Sequence, residues 1–376
     1  MKNKLLYYII AGETSGDQHA ALLMKELLII NKNISFEGVG GNNMSKLNFK
    51  SLFPIQSLSV MGFWEVLKKL SFFKTVQDSI INDIKFKNPD RIILIDYPGL
   101  NLRLAKKIKS FSNIKITYYI TPQVWAWKEN RINILNSFVD QLLVIFPFEE
   151  EYFRKKNIAA NFVGHPFFDE WSPSLSKNLK FKLNLNVNNP VLTLFPGSRK
   201  DEIKKHINIF IKTALLIKKE IKNLQIVVGC APNMIINDYI SIPKDVLIED
   251  KNPRDALECA DFALLASGTA TIEASIFNTP SVIIYKSSFF SWLIAKFVIK
   301  TSYIGMCNLI ANKMIMPEFI QFKAKPKKIS KEILKLYNNK SYYNQKIKDL
   351  KIVSKKLGKP GASRRASNFI IGDENN

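Results

Sequence analysis

Cysteine is scarce: Cys230, Cys259 and Cys307 are the three in 376 residues. They are too few and too scattered for a disulfide framework or a metal knuckle, so a reducing compartment is expected. Histidine is equally sparse (His19, His165, His206), no pattern gathers three metal ligands, and no two aspartates stand as Asp-x-Asp. No metal and no cofactor are therefore expected. No apolar run approaches the roughly 18 residues of a spanning helix. Lys2, Lys4 and the run Leu5–Ala11 resemble a signal peptide, but Gly12-Glu13-Thr14-Ser15-Gly16-Asp17 follows at once without a cleavage site. A buried first strand of a cytoplasmic enzyme is the expectation. Acid is the other shortage. Against 55 Lys+Arg stand 32 Asp+Glu, a formal charge of +23. The partner is then anionic: nucleic acid, a lipid surface or a phosphorylated substrate.

What is present is an ordinary globular balance, 47% hydrophobic and 23% charged, which excludes a disordered tail, a collagen-like fibre and a coiled coil. Short apolar runs alternate with helical patterns. Leu5–Ala11 precedes a helix from His19 to Ile30, Arg91–Asp96 precedes one beginning near Leu102, and Lys115–Ile120 and Gln141–Phe146 continue the series. A polar stretch from Glu170 to Asn189 reads as a linker. Alternation restarts with strand Val191–Phe195, helix Asp201–Lys222 and strands Gln225–Val228, Phe262–Ala266 and Ser281–Tyr285, with helix Thr271–Phe277 between the last two. The expected class is α/β, two Rossmann-like domains with parallel sheets facing across a cleft. The expected limits are 1–169 for the first domain, 170–189 for the linker, 190–345 for the second domain and 346–376 for a C-terminal helix.

Four constellations carry candidate chemistry. Gly12–Asp17 sits where a strand turns into a helix, and two glycines with free amides suit an anion or a hydroxyl-rich group. A tight turn capped by Ser15 or Asp17 explains the same residues. Pro196-Gly197-Ser198-Arg199 leads into Asp201 and Glu202, and loop amides with a guanidinium suit a diphosphate. Ser267-Gly268-Thr269-Ala270-Thr271 repeats the device, with Glu273 one turn into the helix to accept from sugar hydroxyls or to complement the helix dipole. Asp96 ends an apolar strand at the mouth of a sheet, where a carboxylate serves as a general base or caps a turn. His19 and His206 read as ordinary helix residues, and His165 lies near the domain boundary.

Two segments look interfacial. Val60–Leu70 runs on to Phe72, Phe73 and Lys74, and Phe289–Phe297 is similar, both mixing bulky aromatics with lysine. A core helix with a lysine rim reads the same way. From Lys323 to Lys359 thirteen Lys face only Glu332 and Asp349, a solvated face or an attraction to anionic lipid.

In this order the motifs resemble the lipid-A-disaccharide synthase family of glycosyltransferases. The matching stretches are Ala11–Asp17, Gly38-Val39-Gly40-Gly41 with Met44, Val60–Leu67, Ile95–Asn101, Thr121–Trp127, Phe146–Glu149, Val163–Pro166, Phe195–Arg199, Leu264–Glu273 and Asn308–Ile310. The resemblance implies a GT-B architecture and metal-independent, inverting transfer of a 2,3-diacylglucosamine from UDP to 2,3-diacylglucosamine 1-phosphate, making a β-1,6 link in lipid A biosynthesis. It implies Asp96 as catalytic residue, and Ser198, Arg199, Glu202, Ser267, Gly268, Thr269, Glu273 and Asn308 on the UDP-sugar side. Gly12, Glu13, Ser15, Gly16, Asp17 and Met61 fall on the acceptor side, and Phe63, Trp64, Phe72 and Phe73 face the membrane. The implied partners are the two diacylglucosamine substrates and the anionic inner-membrane surface, where the protein is peripheral, with no nucleic acid; a homodimer is also implied, the 346–376 helix packing back on the first domain or on a partner subunit. Many members carry a second Asp three residues after the catalytic one, where this chain has Gly99. The rival readings are a UDP-N-acetylglucosamine epimerase or cell-wall transferase on the same fold, and a nucleic-acid-binding protein that no motif supports.

Overall fold

A computed structural model describes residues 4–55, 70–126, 128–231, 234, 242–288, 292–293 and 301–373. Met61, Phe63, Trp64 and Trp127 lie outside the described residues, as does the Phe289–Phe297 segment apart from Trp292 and Leu293. The chain divides into two compact units, one of residues 1–171 with 357–376 and the other of residues 172–356.

The first unit is built on a seven-stranded sheet in the order β3-β2-β1-β4-β5-β6-β7. These strands are β1 (Leu5–Ala11), β2 (Ile34–Gly40), β3 (Lys50–Pro54), β4 (Arg91–Ile95), β5 (Lys115–Tyr119), β6 (Gln141–Val144) and β7 (Asn161–Phe162). All pairs are parallel, so the central strands are buried on both faces and read as continuous apolar runs rather than alternating ones. In β4 every residue is buried, Arg91 included. Strand order reverses between β1 and β4, where Ala11 pairs with Ile95. That register sets the turn after β1 beside the turn after β4. In such sheets ligands bind outside the carboxyl ends at this reversal.

The second unit repeats the plan with six parallel strands in the order β10-β9-β8-β11-β12-β13. They are β8 (Val191–Phe195), β9 (Gln225–Gly229), β10 (Leu247–Glu249), β11 (Phe262–Ala266), β12 (Ser281–Tyr285) and β13 (Glu318–Ile320). Here the reversal falls between β8 and β11, with Phe195 paired to Leu265. The turns Pro196–Arg199 and Ser267–Thr269 are thereby neighbours.

Three differences from the sequence reading have physical causes. The first helix runs Thr14–Ile30, so the Gly12–Asp17 motif already contains its first turn. The stretch read as a linker holds the helix Ser176–Lys182 and belongs to the second unit. Its Leu179, together with Leu183 just beyond, packs with Val191, Val227, Ala256 and Cys259. Lys180 is buried there too, its Nζ 3.2 Å from the Asp261 carboxylate. Polar neighbours hid a leucine spacing of four. The C-terminal segment begins its return to the first unit at Leu357, not at 346. Its helix Ala362–Gly372 packs on the first helix. Asp169 accepts from the Gly361, Ala362 and Ser363 amides at 2.6, 2.9 and 2.7 Å, which satisfies the orphan donors of that helix start. At the other end the fully buried Arg91 donates to the Asp373 carboxylate at 2.7 Å.

Candidate functional site

In the first unit, Asp96 follows the buried β4 at φ +45°, and Tyr97 continues at φ +46° before Pro98 opens the helix Pro98–Lys109. Two consecutive left-handed residues cost about 1–2 kcal/mol each. The fold holds them with three bonds. The Asp96 amide donates to the Tyr119 carbonyl at 3.1 Å, and its carbonyl accepts from Tyr118 Oη at 2.6 Å and Asn101 Nδ2 at 2.8 Å. These bonds fix the backbone, and the Tyr97 backbone also hydrogen-bonds to the carboxyl. Burial first, then the charge of Glu13, pushes that carboxyl up to about 6. Gly12 lies against the Tyr97 ring, which a Cβ there would strike. Glu13 and Ser15 are exposed at the helix start, and Gly16 packs close to Ala11. Gly99 is exposed, and a side chain there would meet open space.

Asp17 belongs to the frame of this site. Its buried carboxylate accepts from the Gly41, Asn43 and Met44 amides and from Asn43 Nδ2, all at 2.8 to 3.1 Å. It fixes the turn after β2 against the first helix, and a pocket of about 310 Å3 opens beside it, lined by Thr14, Asp17, Asn42, Asn43, Lys46 and Ile55. Glu149, which the sequence reading placed in a motif without a role, is 1% exposed. It accepts from Trp125 Nε1 at 3.0 Å and from the Phe146 amide at 3.0 Å, and burial pushes it up to about 7. The Trp125 ring meets Phe148 edge-on at 4.8 Å, and Phe148 stacks on Phe146. His165 is buried against Phe146, its amide donating to the Leu357 carbonyl at 2.9 Å.

In the second unit, Gly197 has φ +137° and a Cβ there would stand 2.7 Å from Glu202 Cβ. Glu202 folds back over the loop, accepting from the Ser198 amide at 3.2 Å. Arg199 is exposed at the N-cap of the helix Lys200–Glu220. His206, read from the sequence as an ordinary helix residue, is 0% exposed. Its Nδ1 lies 2.7 Å from the Pro196 carbonyl, and its Nε2 accepts from the Lys286 amide at 2.8 Å. Those partners require the neutral ring with the proton on Nδ1, and burial lowers its proton affinity accordingly. One ring thus ties the β8 loop to the end of β12.

Ser267 Oγ donates to the Ile304 carbonyl at 2.7 Å. Thr269 caps the helix Ala270–Phe277, and Thr271 Oγ1 donates to the Gly268 carbonyl while accepting from the Met306 amide at 3.1 Å. Glu273 Oε1 accepts from Arg254 Nε at 3.0 Å, a partner the sequence did not indicate. Asn308 was expected beside the nucleotide, yet it is 0% exposed. Its amide donates to the Met316 carbonyl and Glu318, and accepts from the Ile315 and Met316 amides, at 2.7 to 2.9 Å. Glu318 in turn accepts from the Ile304 and Gly305 amides. The Asn308 amide is therefore spent on holding this loop to Met316 and Glu318. Among the described residues, no three His, Cys, Asp or Glu side chains gather as metal ligands, and no helix is long and apolar enough to cross a membrane.

A family model described as lipid-A-disaccharide synthetase matches residues 7–370. A lipid-A-disaccharide synthase 1 of Legionella pneumophila (strain Lens) is 34% identical over 378 residues, covering 99% of this chain and 98% of that one. A lipid-A-disaccharide synthase of Wigglesworthia glossinidia brevipalpis is 36% identical over 365 residues, covering 95% and 94%. Among solved structures, the Neisseria meningitidis UDP-GlcNAc 2-epimerase bound to UDP-GlcNAc superposes with a TM-score of 0.63 at 12% identity, covering 98% of this chain and 99% of that one. The calicheamicin glycosyltransferase CalG4 gives 0.59 at 11%, covering 99% and 98%. At that identity the two structures speak to the shared two-domain fold alone, whereas the relatives in sequence extend end to end.

Proposed function

The chain belongs to the lipid-A-disaccharide synthetase family, and from that premise we propose that it joins UDP-2,3-diacylglucosamine to 2,3-diacylglucosamine 1-phosphate. The products are the β-1,6-linked disaccharide 1-phosphate and UDP. The observation that carries the reading is the family match over residues 7–370 on a chain whose Gly12–Asp17, Asp96, Pro196–Arg199 and Ser267–Thr269 motifs follow β1, β4, β8 and β11 of two parallel sheets.

Asp96 is the general base. A carboxyl raised to about 6 is ionised at neutral pH yet basic enough to take a hydroxyl proton in the transition state. The acceptor 6-hydroxyl loses its proton to Asp96, its oxygen forms the bond to the anomeric carbon, and the bond to the diphosphate breaks with its electron pair leaving on UDP. Attack opposite the leaving group inverts the anomeric centre. Arg199, the Ser198 amide and the Ser267–Thr269 turn balance the charge that grows on the diphosphate, without a metal. Glu202 and Glu273 hold or order these donors, with Arg254 fixing Glu273. The acceptor binds the first unit and the nucleotide the second.

The protein is a peripheral one on the inner membrane in this reading, supported by the +23 charge and by Phe72 and Phe73, half-buried to exposed and in edge-on contact at 5.8 Å. The decisive experiment mixes the purified chain with both substrates, with and without EDTA. A disaccharide by mass in both reactions is expected, and its absence in both rejects the activity. Loss with EDTA alone rejects the metal-free mechanism. The epimerase rival predicts a 2-epimer from UDP-N-acetylglucosamine, which is not expected here.

A further inference from the structure

Three cations lie on neighbouring segments after β4 and β5 of the first unit, and the sequence pattern singled out none of them. Lys128 and Arg131 stand at the two ends of one turn, the Arg131 amide donating to the Lys128 carbonyl at 3.0 Å. Lys128 has φ +53°. Arg103 projects from the helix Pro98–Lys109, which packs against the helix Arg131–Phe138. Arg103 and Lys128 are exposed and Arg131 is half-buried. Burial lowers the proton affinity of Lys128, and the charges of Arg131 and Arg103 lower it further. Arg131 is lowered by burial and by Arg103, with Tyr118 acting the other way. Arg103 has no carboxylate partner among the described residues. Like charges held together and partly out of water repel one another, and an anion among them relieves the repulsion.

The neighbourhood gives this cluster its meaning. Tyr118 donates its hydroxyl to the Asp96 carbonyl at 2.6 Å. It is acted on by the charge of Asp96 and, in the opposite sense, by that of Arg131. The tyrosine hydroxyl is thus tied to the Asp96 backbone and also feels the charge of Arg131. A ligand with a hydroxyl at one end and an anion at the other would engage both kinds of group.

We propose that Arg103, Lys128 and Arg131 form an anion-binding corner that takes the phosphate monoester of a sugar phosphate, presenting the sugar's far hydroxyl to Asp96. The identity of the sugar rests on the proposed function; the anion corner does not. Two forked guanidinium groups match phosphate oxygens in pairs, and the exposed lysine adds a mobile point charge.

The test uses the full chain and soluble probes: glucosamine 1-phosphate, inorganic phosphate and uncharged glucosamine, measured by calorimetry. The wild type is expected to bind the first two and not the third. The double variant R103Q/R131Q is expected to lose about tenfold or more in affinity for glucosamine 1-phosphate, with UDP affinity unchanged. Lys128→Gln, at an exposed position, is expected to give a smaller loss in the same direction, so a misfolded double variant still leaves a reading. Failure of the wild type to bind either phosphate, or equal affinity in the variants, overturns the corner. A second arm sediments the proteins with phosphatidylglycerol vesicles. If the double variant leaves the vesicles yet keeps glucosamine 1-phosphate, the anion is a lipid headgroup and the proposal is overturned. If no disaccharide forms with the diacylated substrates but the variants still lose the sugar phosphate, the proposed activity fails and the corner stands.

Discussion

Asp96 illustrates how a residue can be stable for the wrong reason and useful for the right one. In the unfolded chain it titrates near 3.8, and in the fold near 6. Between those values the folded state holds a proton that the unfolded state has lost. The group's contribution to stability is therefore full below about pH 3.8 and is lost as pH rises through about 6. Asp96→Asn should abolish turnover, leave UDP affinity intact and raise the melting temperature at pH 8, with the gain shrinking below pH 4. A variant with wild-type turnover removes Asp96 from the chemistry. The acidic limb of kcat/KM should sit near 6, and Glu13→Gln should move it lower by removing a like charge. At the same scale, Gly12→Ala should destabilise the protein by about 1–3 kcal/mol through the clash with Tyr97, read in denaturant melts. The place of Asp96 at the end of a buried strand was legible in the sequence because the apolar run Ile92–Ile95 leads straight to it, whereas a base and a turn cap look alike there. His206 and Glu149 were not, since their burial depends on a loop and an indole contributed by distant parts of the chain.

Among the elements, the central strands could be read from runs such as Leu5–Ala11 and Phe262–Ala266, which must be buried on both faces. The edge strands could not. β3 is mostly exposed, β10 and β13 have three residues each, and β7 has two, so none carries a pattern that periodicity can detect. The helix Ser176–Lys182 was missed for the opposite reason, a short apolar spacing diluted by lysine and asparagine. Leu179→Ala separates the two readings. A residue of a loose connection would change little, whereas the buried Leu179 should cost about 2–5 kcal/mol in chemical denaturation. Asp169→Ala should cost about 0.5–2 kcal/mol, with Asp169→Asn recovering part of it, because the cap on the Ala362–Gly372 helix is lost. The site turns followed the strands. Once β1, β4, β8 and β11 are ordered, Gly12 must neighbour Asp96 and Ser198 must neighbour Gly268.

The whole molecule carries an excess of 23 positive charges, and its attraction to anionic bilayers should fall steeply with salt. The double substitution Phe72→Ser and Phe73→Ser should weaken sedimentation with phosphatidylglycerol vesicles at fixed salt while leaving the melting temperature nearly unchanged, since Phe72 is 36% exposed. Undiminished sedimentation would assign membrane contact to other residues. The division of the chain was only partly legible. Composition marked a change near Glu170, but no composition signals that residues 357–376 return to the first unit. That return depends on Asp169 and Arg91 waiting for partners far along the sequence.

The Arg91–Asp373 pair sets a timetable for birth on the ribosome. Its members are 282 positions apart, so at about 5–20 residues per second the guanidinium spends about 14–56 s without the Asp373 carboxylate. The early-emerging half must linger unfinished until Asp373 has been made. Nascent chains arrested before Leu357 should therefore be protease-sensitive clients of chaperones, even with every strand of the first sheet already outside the tunnel.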